Sequence, residues 1–370
     1  MTLEDHADTS TLFVDGKPVS PKGLQIRKVV SLGAEGAIVT ASKDPTQIQL
    51  HAVGWDGETV PLSEGPGVWS GDERGGTAVR IREGMESPVP TVTVMRHGAT
   101  VGNITSHPLH PGLHPEVSFL EAGDHGIRTA VLFPHGHRVG SGAALPIIMN
   151  PYAGPHAQRV LHSAKAYLQA QWMADQGFCV VIADGRGTPG RGLAWERAVH
   201  RDLAGPVLED QVEALHAVAA GHPELDLGRV AVRGWSFGGF VAALAVLRRP
   251  EVFHAAVAGA PVTDWRLYDT HYTERYLGHP DDDPGAYRRS SLLADAAALE
   301  RPLLLVHGLA DDNVVAAHSL RLSGLLLAAG RPHAVLPLSG VTHLAVQEAV
   351  TENLLHLELR FLREALGLDR

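Results

Sequence analysis

The feature that most constrains this chain is Gly234-Trp-Ser-Phe-Gly238, which lies between the apolar run Val230–Val232 and the helical stretch Phe240–Leu247. A strand that enters a helix through G-x-S-x-G makes a sharp turn that lifts the serine hydroxyl clear of the sheet. The two glycines are needed because neighbouring backbone passes too close for a Cβ atom. The N-terminus of the following helix favours developing negative charge. We therefore predict that Ser236 is a nucleophile.

Short and almost wholly apolar runs recur after residue 124, and they alternate with helical stretches. Such runs are typical of strands buried on both faces of a parallel sheet. They are Leu145–Met149, Cys179–Ala183, Val230–Val232, Ala255–Ala258 and Leu303–Val306. The expected helices include Val160–Gln176, Val207–Ala220, Phe240–Leu247 and a last one over about Thr351–Ala365. Together with the serine turn, this alternation predicts an α/β-hydrolase fold over residues 124–370, with a mostly parallel sheet and helices on both faces.

A serine nucleophile needs a base, and the base needs an acid that orients it. In this fold the order along the chain is serine, acid and histidine, each at the end of a strand. Asp311 follows the last of the apolar runs, and His343 follows one further strand-like run. We therefore expect Ser236, Asp311 and His343 to form a catalytic triad. Position along the chain does not decide between Asp311 and Asp312 as the acid. His307 is not expected to be the base, because it precedes both acids and the expected order places the histidine last.

Residues 1–123 have a different character. Short β-rich runs alternate there with turns that contain Gly and Asp, a pattern typical of antiparallel sheet. The runs are Gly36–Thr40, Ile48–Val53, Thr77–Ile81 and Thr91–Met95. We predict a small all-β segment, either a sandwich or propeller blades, and no clean internal repeat decides between the two.

The composition excludes several classes of protein. A net charge of −10 argues against nucleic acid or an anionic membrane as a partner. The single cysteine, Cys179, excludes an internal disulfide framework. No signal peptide and no membrane span are visible, so we expect a cytoplasmic protein. We expect no metal, because the histidines at 107, 110 and 114 alternate with prolines in a linker-like segment. We expect no cofactor, because Gly185-Arg-Gly-Thr-Pro-Gly190 is a bare match to a dinucleotide-binding motif and no helix that could hold a pyrophosphate follows it.

The residues from about 124 to the end resemble the catalytic domain of the prolyl oligopeptidase family, and most closely its dipeptidyl peptidase IV branch. The resemblance rests on six motifs that occur in the family's order. They are Pro151-Tyr-Ala-Gly-Pro155, Asp184-Gly-Arg-Gly187, Leu208-Glu-Asp-Gln211, Gly234-Trp-Ser-Phe-Gly-Gly239, Tyr268-Asp-Thr-His-Tyr-Thr-Glu-Arg-Tyr276 and His307-Gly-Leu-Ala-Asp-Asp-Asn-Val314. The alignment with the family selects Asp311 over Asp312 as the triad acid.

The resemblance also implies roles for residues around the triad. The family's oxyanion hole corresponds to the Tyr152 hydroxyl and the backbone N–H of Phe237. Its proline pocket corresponds to Phe237, Val262, Trp265, Tyr268, Tyr272 and Val314. Asn313 is expected to donate to the substrate carbonyl that precedes the scissile residue, and Arg275 to brace the pocket. The implied substrate is a short peptide cleaved after proline or alanine.

The chain departs from the family in its N-terminal part. Residues 1–123 are far fewer than a complete propeller needs, and the glutamate pair that binds the substrate amine in the dipeptidyl branch has no clear counterpart. The adjacent acids in this part are Glu4-Asp5 and Asp72-Glu73. An acylaminoacyl peptidase or general esterase with the same triad is therefore an alternative, and a non-catalytic binding or assembly module is another. Self-association through an open sheet edge is left open.

Overall fold

The computed structural model describes residues 1–138 and 144–368, which form two compact units. Unit 1 comprises Met1–Glu116, Val160–Trp172 and Thr188–Glu196, and unit 2 comprises Val117–Arg159, Met173–Gly187 and Arg197–Arg370. The first change of unit falls at residue 117 because the strand that starts there pairs with the next strand of unit 2. The expected domain boundary between residues 123 and 124 stays a prediction.

Unit 1 is built from antiparallel hairpins. Its strands are β1 (Thr2–His6), β2 (Thr9–Val14), β3 (Lys17–Pro18), β4 (Gln25–Leu32), β5 (Gly36–Ser42), β6 (Gln49–Gly54), β7 (Thr59–Pro61), β8 (Val68–Arg74), β9 (Thr77–Glu83), β10 (Thr91–Arg96) and β11 (Ala99–Ile104). They form three sheets, in the orders β1-β2-β3, β4-β5-β6-β7 and β11-β10-β9-β8. Leu12, Val39 and Val53 belong to a small apolar core in this unit. The all-β prediction for the N-terminal part is confirmed.

Tight turns explain why these hairpins form. Gly75 and Gly76 join β8 to β9 with φ of +56° and +71°, and His97 and Gly98 join β10 to β11 with φ of +47° and +79°. Two consecutive residues with positive φ make the turn whose twist matches that of the flanking strands. The glycine-rich turn signals in the sequence therefore mark real strand reversals.

Unit 2 is organised around one eight-stranded sheet. Its strands are β12 (Val117–Ala122), β13 (Ile127–Leu132), β14 (Leu145–Met149), β15 (Cys179–Asp184), β16 (Leu225–Trp235), β17 (Ala255–Gly259), β18 (Leu303–Gly308) and β19 (Ala334–Leu338). Their order is β12-β13-β15-β14-β16-β17-β18-β19, with β12 and β13 antiparallel to their neighbours and the other pairs parallel. This confirms the predicted fold class.

Three of the four helices named from the sequence are longer than expected, and the first of them is shorter. The described α-helices are α1 (Leu168–Asp175), α2 (Leu193–Arg197), α3 (Gly205–Gly221), α4 (Phe237–Arg248), α5 (Thr270–Leu277), α6 (Pro284–Arg289), α7 (Ala317–Ala328) and α8 (Glu348–Ala365). The helix predicted over Val160–Gln176 is wrong at its start, because α1 begins only at Leu168 after a 3₁₀ turn. The N–H groups of Leu161 and His162 bond instead to the Tyr167 hydroxyl and to the Thr46 carbonyl.

The parallel part of the sheet brings the functional candidates to one edge. Every residue of β14, β15, β17 and β18 is buried, as the continuous apolar runs require. β16, β17, β18 and β19 are successive parallel neighbours, so their carboxyl ends lie along the same edge. Ser236 follows β16 directly, Asp311 follows β18 and His343 follows β19. Ligands of open α/β sheets bind at this edge.

Candidate active site

Ser236 occupies the sharp turn between β16 and α4. Its backbone has φ of +59° and ψ of −118°, a conformation that costs energy for a residue with a Cβ atom. The Ser236 N–H donates to the Gly259 carbonyl at 2.8 Å, and the Ser236 carbonyl accepts from Phe240 N–H at 2.9 Å. These bonds fix the turn, and strain of this kind is typical of a nucleophile held at the end of a strand.

The glycines beside Ser236 allow close approach of backbone. A Cβ atom on Gly234 would overlap the Gly238 carbonyl, and one on Gly238 would overlap the Pro151 carbonyl. The second contact brings the segment that contains Tyr152 against the serine turn. The motif therefore shapes both the nucleophile and the loop that carries an expected oxyanion donor.

Asp311 and His343 form a hydrogen-bonded pair. His343 Nδ1 lies 2.8 Å from Asp311 Oδ2, and the Asp311 side chain is fully buried. The other carboxylate oxygen, Oδ1, accepts the N–H groups of Asn313 and Val314 at 3.0 and 2.9 Å. Because a carboxylate can only accept, Nδ1 of His343 carries the proton and Nε2 is left as an acceptor. Asp312 is exposed, and it is Asp311 that contacts His343.

The serine turn and the histidine loop are joined through Trp235. Its indole Nε1 donates to the His343 carbonyl at 2.7 Å, across 108 positions of sequence. Within residues 1–138 and 144–368, no hydrogen bond joins Ser236 Oγ to the His343 ring. Such bonds are often long before substrate binds and tighten in the complex. The structure thus pairs Asp311 with His343 directly, and it links the His343 backbone to the serine turn through the Trp235 side chain.

Two donors are available for an oxyanion beside Ser236. Phe237 is the first residue of α4, where backbone N–H groups have no acceptor within the helix. The Tyr152 ring lies 5.9 Å from the Phe237 ring, and its hydroxyl has no hydrogen-bond partner among the described residues. Burial raises the pKa of Tyr152 to about 12, so the hydroxyl keeps its proton and can donate.

Aromatic rings from the segment after β17 pack into one cluster with Phe237. The Trp265 ring lies 5.7 Å from Phe237, 5.9 Å from Tyr268 and 6.0 Å from Tyr272, and Tyr268 meets Tyr272 edge-on at 5.4 Å. Burial raises the pKa of Tyr272, so its hydroxyl stays neutral. Val262 and Val314 are buried members of the same core cluster. The pocket residues expected from the sequence therefore lie together.

Asn313 and Arg275 differ in how the structure places them. The Tyr268 hydroxyl donates to Asn313 Oδ1 at 3.1 Å. The side-chain NH₂ group of Asn313 is not used in this bond and can serve as a donor. Arg275 is exposed on α5, and within the described parts of the chain no hydrogen bond or ion pair ties it to the cluster. Its expected bracing role stays a prediction.

Three contacts of the site were missed by sequence reasoning. The sequence motif assigns no role to Trp235, although its position next to Ser236 is a signal for a supporting role, and its indole bonds to the His343 carbonyl. His307 precedes Asp311 and so does not fit the expected order of a triad, yet its Nε2 lies 3.6 Å from Asp311 Oδ2. His156 packs edge-on against Tyr272 at 5.1 Å, and no pattern in the sequence indicated this contact.

Three side chains of kinds that bind metals also cluster near the carboxyl end of β15. In unit 2, ligand atoms of His125, Asp210 and Glu213 lie within 4.8 Å of one another. The Arg186 guanidinium donates to Asp210 at 2.6 and 2.9 Å, and Glu213 accepts the His125 backbone N–H at 2.9 Å. These bonds account for the cluster as an ion-pair network, and we assign it no metal.

Comparison with protein families gives one match over most of unit 2. Residues 164–369 match the model of the prolyl oligopeptidase family. Among curated proteins, human dipeptidyl peptidase 8 is 35% identical over 284 residues, which is 75% of this chain and 31% of that protein. The probable dipeptidyl-aminopeptidase B of Coccidioides posadasii is 38% identical over 181 residues, which is 48% of this chain and 19% of that protein. The chain thus spans less than a third of these relatives' length.

Solved structures match almost the whole chain in fold. Dipeptidyl peptidase 4 of Porphyromonas gingivalis superposes with a TM-score of 0.87 at 23% identity, covering 96% of this chain and 52% of that one. A putative dipeptidyl aminopeptidase IV of Bacteroides ovatus gives 0.84 at 24% identity, covering 94% and 51%. At this identity the likeness establishes the fold, and the chain spans about half the length of both proteins.

Proposed function

The chain belongs to the prolyl oligopeptidase family, and from that premise we propose that it is a serine peptidase in which Ser236, His343 and Asp311 transfer an acyl group to water. The observation that carries the proposal is the 2.8 Å hydrogen bond from His343 to the buried Asp311. The strained turn at Ser236 supports it, since its φ of +59° suits a nucleophile at a strand end.

The proposed reaction proceeds in two acyl transfers. Ser236 Oγ attacks the scissile carbonyl carbon, and His343 Nε2 takes the hydroxyl proton as the carbonyl oxygen becomes an oxyanion. The C–N bond then breaks, and His343 gives its proton to the leaving amine. Water then attacks the acyl-enzyme with the same help from His343, and the carboxylic acid product is released as Ser236 regains its proton. Asp311 holds the proton on Nδ1 and stabilises the imidazolium at each stage.

The oxyanion would accept hydrogen bonds from the Tyr152 hydroxyl and the Phe237 N–H. Both donors are held in place before the reaction, so no reorganisation is needed when charge develops. Removing one such donor typically costs about 3–4 kcal/mol of transition-state stabilisation. The close contact between Gly238 and the Pro151 carbonyl supports this assignment, because it holds the Tyr152 segment against the serine turn.

We propose that the residue before the scissile bond is proline or alanine. The Trp265, Tyr268 and Tyr272 rings offer flat apolar walls, and Val262 and Val314 add aliphatic surface. A pyrrolidine ring has no side-chain polar group to satisfy, so an apolar slot suits it. The Asn313 amide, oriented by the Tyr268 hydroxyl, would donate to the preceding carbonyl of the substrate.

A second candidate function differs in that it needs no site for a free substrate amine, and one observation favours it. Glu73, one of the adjacent acids of unit 1, is paired with Arg80 at 3.1 Å. A carboxylate already bound to a guanidinium is a poor partner for an ammonium group. An acylaminoacyl peptidase or esterase with the same triad, which needs no amine site, is therefore the second candidate.

A substrate panel with the purified chain separates these candidates. It compares Gly-Pro-p-nitroanilide, its N-blocked form and p-nitrophenyl acetate, each beside a Ser236→Ala control. Cleavage of the free-amine peptide alone supports a dipeptidyl peptidase, and cleavage of both peptides supports a broader post-proline peptidase. Turnover of the ester alone favours the esterase, and no Ser236-dependent turnover favours a non-catalytic module.

No helix in the described residues is long and apolar enough to cross a membrane. The proposed reaction makes a peptide substrate the expected partner of the chain. The expected cytoplasmic location stays a prediction, and so does self-association.

A further inference from the structure

His307 is a buried histidine that the proposed reaction does not use. It lies in β18 with 2% of its surface exposed. Its Nδ1 is 2.7 Å from Ser319 Oγ, its Nε2 is 2.7 Å from the Val314 carbonyl, and the same Nε2 is 3.6 Å from Asp311 Oδ2. One imidazole therefore contacts the turn after β18 at two points.

These contacts fix the tautomer of His307. A carbonyl oxygen can only accept, so Nε2 carries a proton and donates to Val314. In the neutral ring Nδ1 is then an acceptor, and the Ser319 hydroxyl donates to it. Burial lowers the pKa of His307, and the nearby His343 lowers it further, while the Val314 carbonyl and Asp311 act in the opposite direction. The buried His318 on α7 also faces this ring.

The turn at residues 311–314 is held from both sides through Val314. The Val314 N–H donates to Asp311 Oδ1 at 2.9 Å, and its carbonyl accepts from His307 at 2.7 Å. This short turn contains the expected triad acid, the expected substrate donor Asn313 and a wall of the apolar pocket. A group that holds this turn in place therefore fixes the position of Asp311 relative to the pocket wall formed by Val314.

We propose that His307 is a positioning residue, which clamps the turn at 311–314 through its Nε2–H bond to Val314 and so aims Asp311 at His343. The role rests on the proposed function, since it serves the triad that we assign there. In the described parts of the chain no hydrogen bond or ion pair joins His307 to Ser236, and we propose that it acts through Val314 and Asp311.

Two conservative substitutions test which ring nitrogen matters. The amide nitrogen of His307→Gln can occupy the position of Nε2, whereas the shorter His307→Asn reaches only the position of Nδ1. We expect kcat of the Gln variant to stay within about threefold of the wild type, because the donor to Val314 persists. We expect kcat of the Asn variant to fall by about 10- to 100-fold, because a small misplacement of a catalytic group has effects of this size.

His333 provides a matched control. Its two ring nitrogens also bond a serine hydroxyl and a backbone carbonyl, Ser323 Oγ at 2.7 Å and the Arg331 carbonyl at 2.9 Å, but it precedes β19 at the opposite end from His343. His333→Asn and His333→Gln should leave kcat and the pH profile unchanged. If His307→Asn keeps as much kcat as His307→Gln, or if the His333 variants lose as much, the positioning role is refuted.

A spectroscopic measurement gives a result that does not depend on hydrolysis. The proton on His343 Nδ1, shared with Asp311, should give a low-field NMR resonance, which a His343→Gln variant identifies. We expect this resonance to persist in His307→Gln and to broaden or disappear in His307→Asn, at a temperature where all the variants remain folded. An identical resonance in all three proteins overturns the inference, even if peptides are cleaved. The expected pattern in a protein that cleaves no peptide supports the inference and refutes the proposed function instead.

Discussion

Replacing Asp311 by Asn tests the acid of the proposed triad with little change of shape. The Asn oxygen can still accept the N–H groups of Asn313 and Val314, which now bond Asp311 Oδ1 at 3.0 and 2.9 Å. The amide NH₂ group then occupies the position of Oδ2, 2.8 Å from His343 Nδ1. Two donors cannot share that distance, so the ring adopts the tautomer with its proton on Nε2. In that tautomer His343 cannot accept the proton of Ser236.

The size of the effect follows from this change of tautomer. Because the turn keeps both backbone bonds, we expect the geometry to persist and the loss to fall on the proton transfer. A wrong tautomer in a serine triad lowers kcat by about 10⁴-fold, which corresponds to about 5.4 kcal/mol of activation free energy. The isosteric replacement should lower Tm by no more than about 4 °C.

The assay is the steady-state hydrolysis of Gly-Pro-p-nitroanilide, with thermal unfolding measured on the same samples. Asp312→Asn is the matched control, because it makes the same chemical change at an exposed neighbour. We expect the control to retain the wild-type kcat. The assignment is refuted if Asp311→Asn, properly folded, keeps more than about a tenth of the wild-type kcat, or if the control loses as much.

Three further predictions concern the oxyanion donor, the stability and the serine turn. Tyr152→Phe should lower kcat by about 10²- to 10³-fold with little change in KM, because the donor acts on the transition state. A higher KM with an unchanged kcat would contradict this. Burial lowers the pKa of His318 from 6.5 to about 4 in the folded protein. Between these two pH values the unfolded state binds more protons than the folded state, so the free energy of unfolding should fall by about 2 kcal/mol from pH 7 to pH 5. Urea unfolding at both pH values should show a smaller fall in His318→Asn, which keeps an acceptor for the Thr263 N–H. Gly238→Ala should give little folded protein by circular dichroism, because its Cβ would overlap the Pro151 carbonyl.

The fold of unit 2 could be predicted because its signals are local. Continuous apolar runs indicate strands buried on both faces, and the turn at Ser236 indicates a strand that enters a helix. The start of α1 could not be predicted, since the N–H of His162 bonds to Thr46 far away in sequence. Helical periodicity contains no information about such a competing partner.

The candidate site shows the same division. Order along the chain and strand ends selected Ser236, Asp311 and His343 as candidates. The choice between two adjacent acids needed the resemblance, because a shift of one residue turns the carboxylate from the interior toward solvent. The bond from Trp235 to His343 and the clamp at His307 join segments through packing, and no spacing rule for a single sequence could have indicated them.

The central claim is that Ser236 is an activated nucleophile, and a fluorophosphonate probe tests it most directly. The purified chain is incubated with the probe, digested and analysed by mass spectrometry to find the labelled residue. The account predicts one phosphonyl adduct, on Ser236, that disappears in Ser236→Ala and forms far more slowly in Asp311→Asn. A folded protein that remains unlabelled, or one labelled equally after Ser236→Ala, would contradict it.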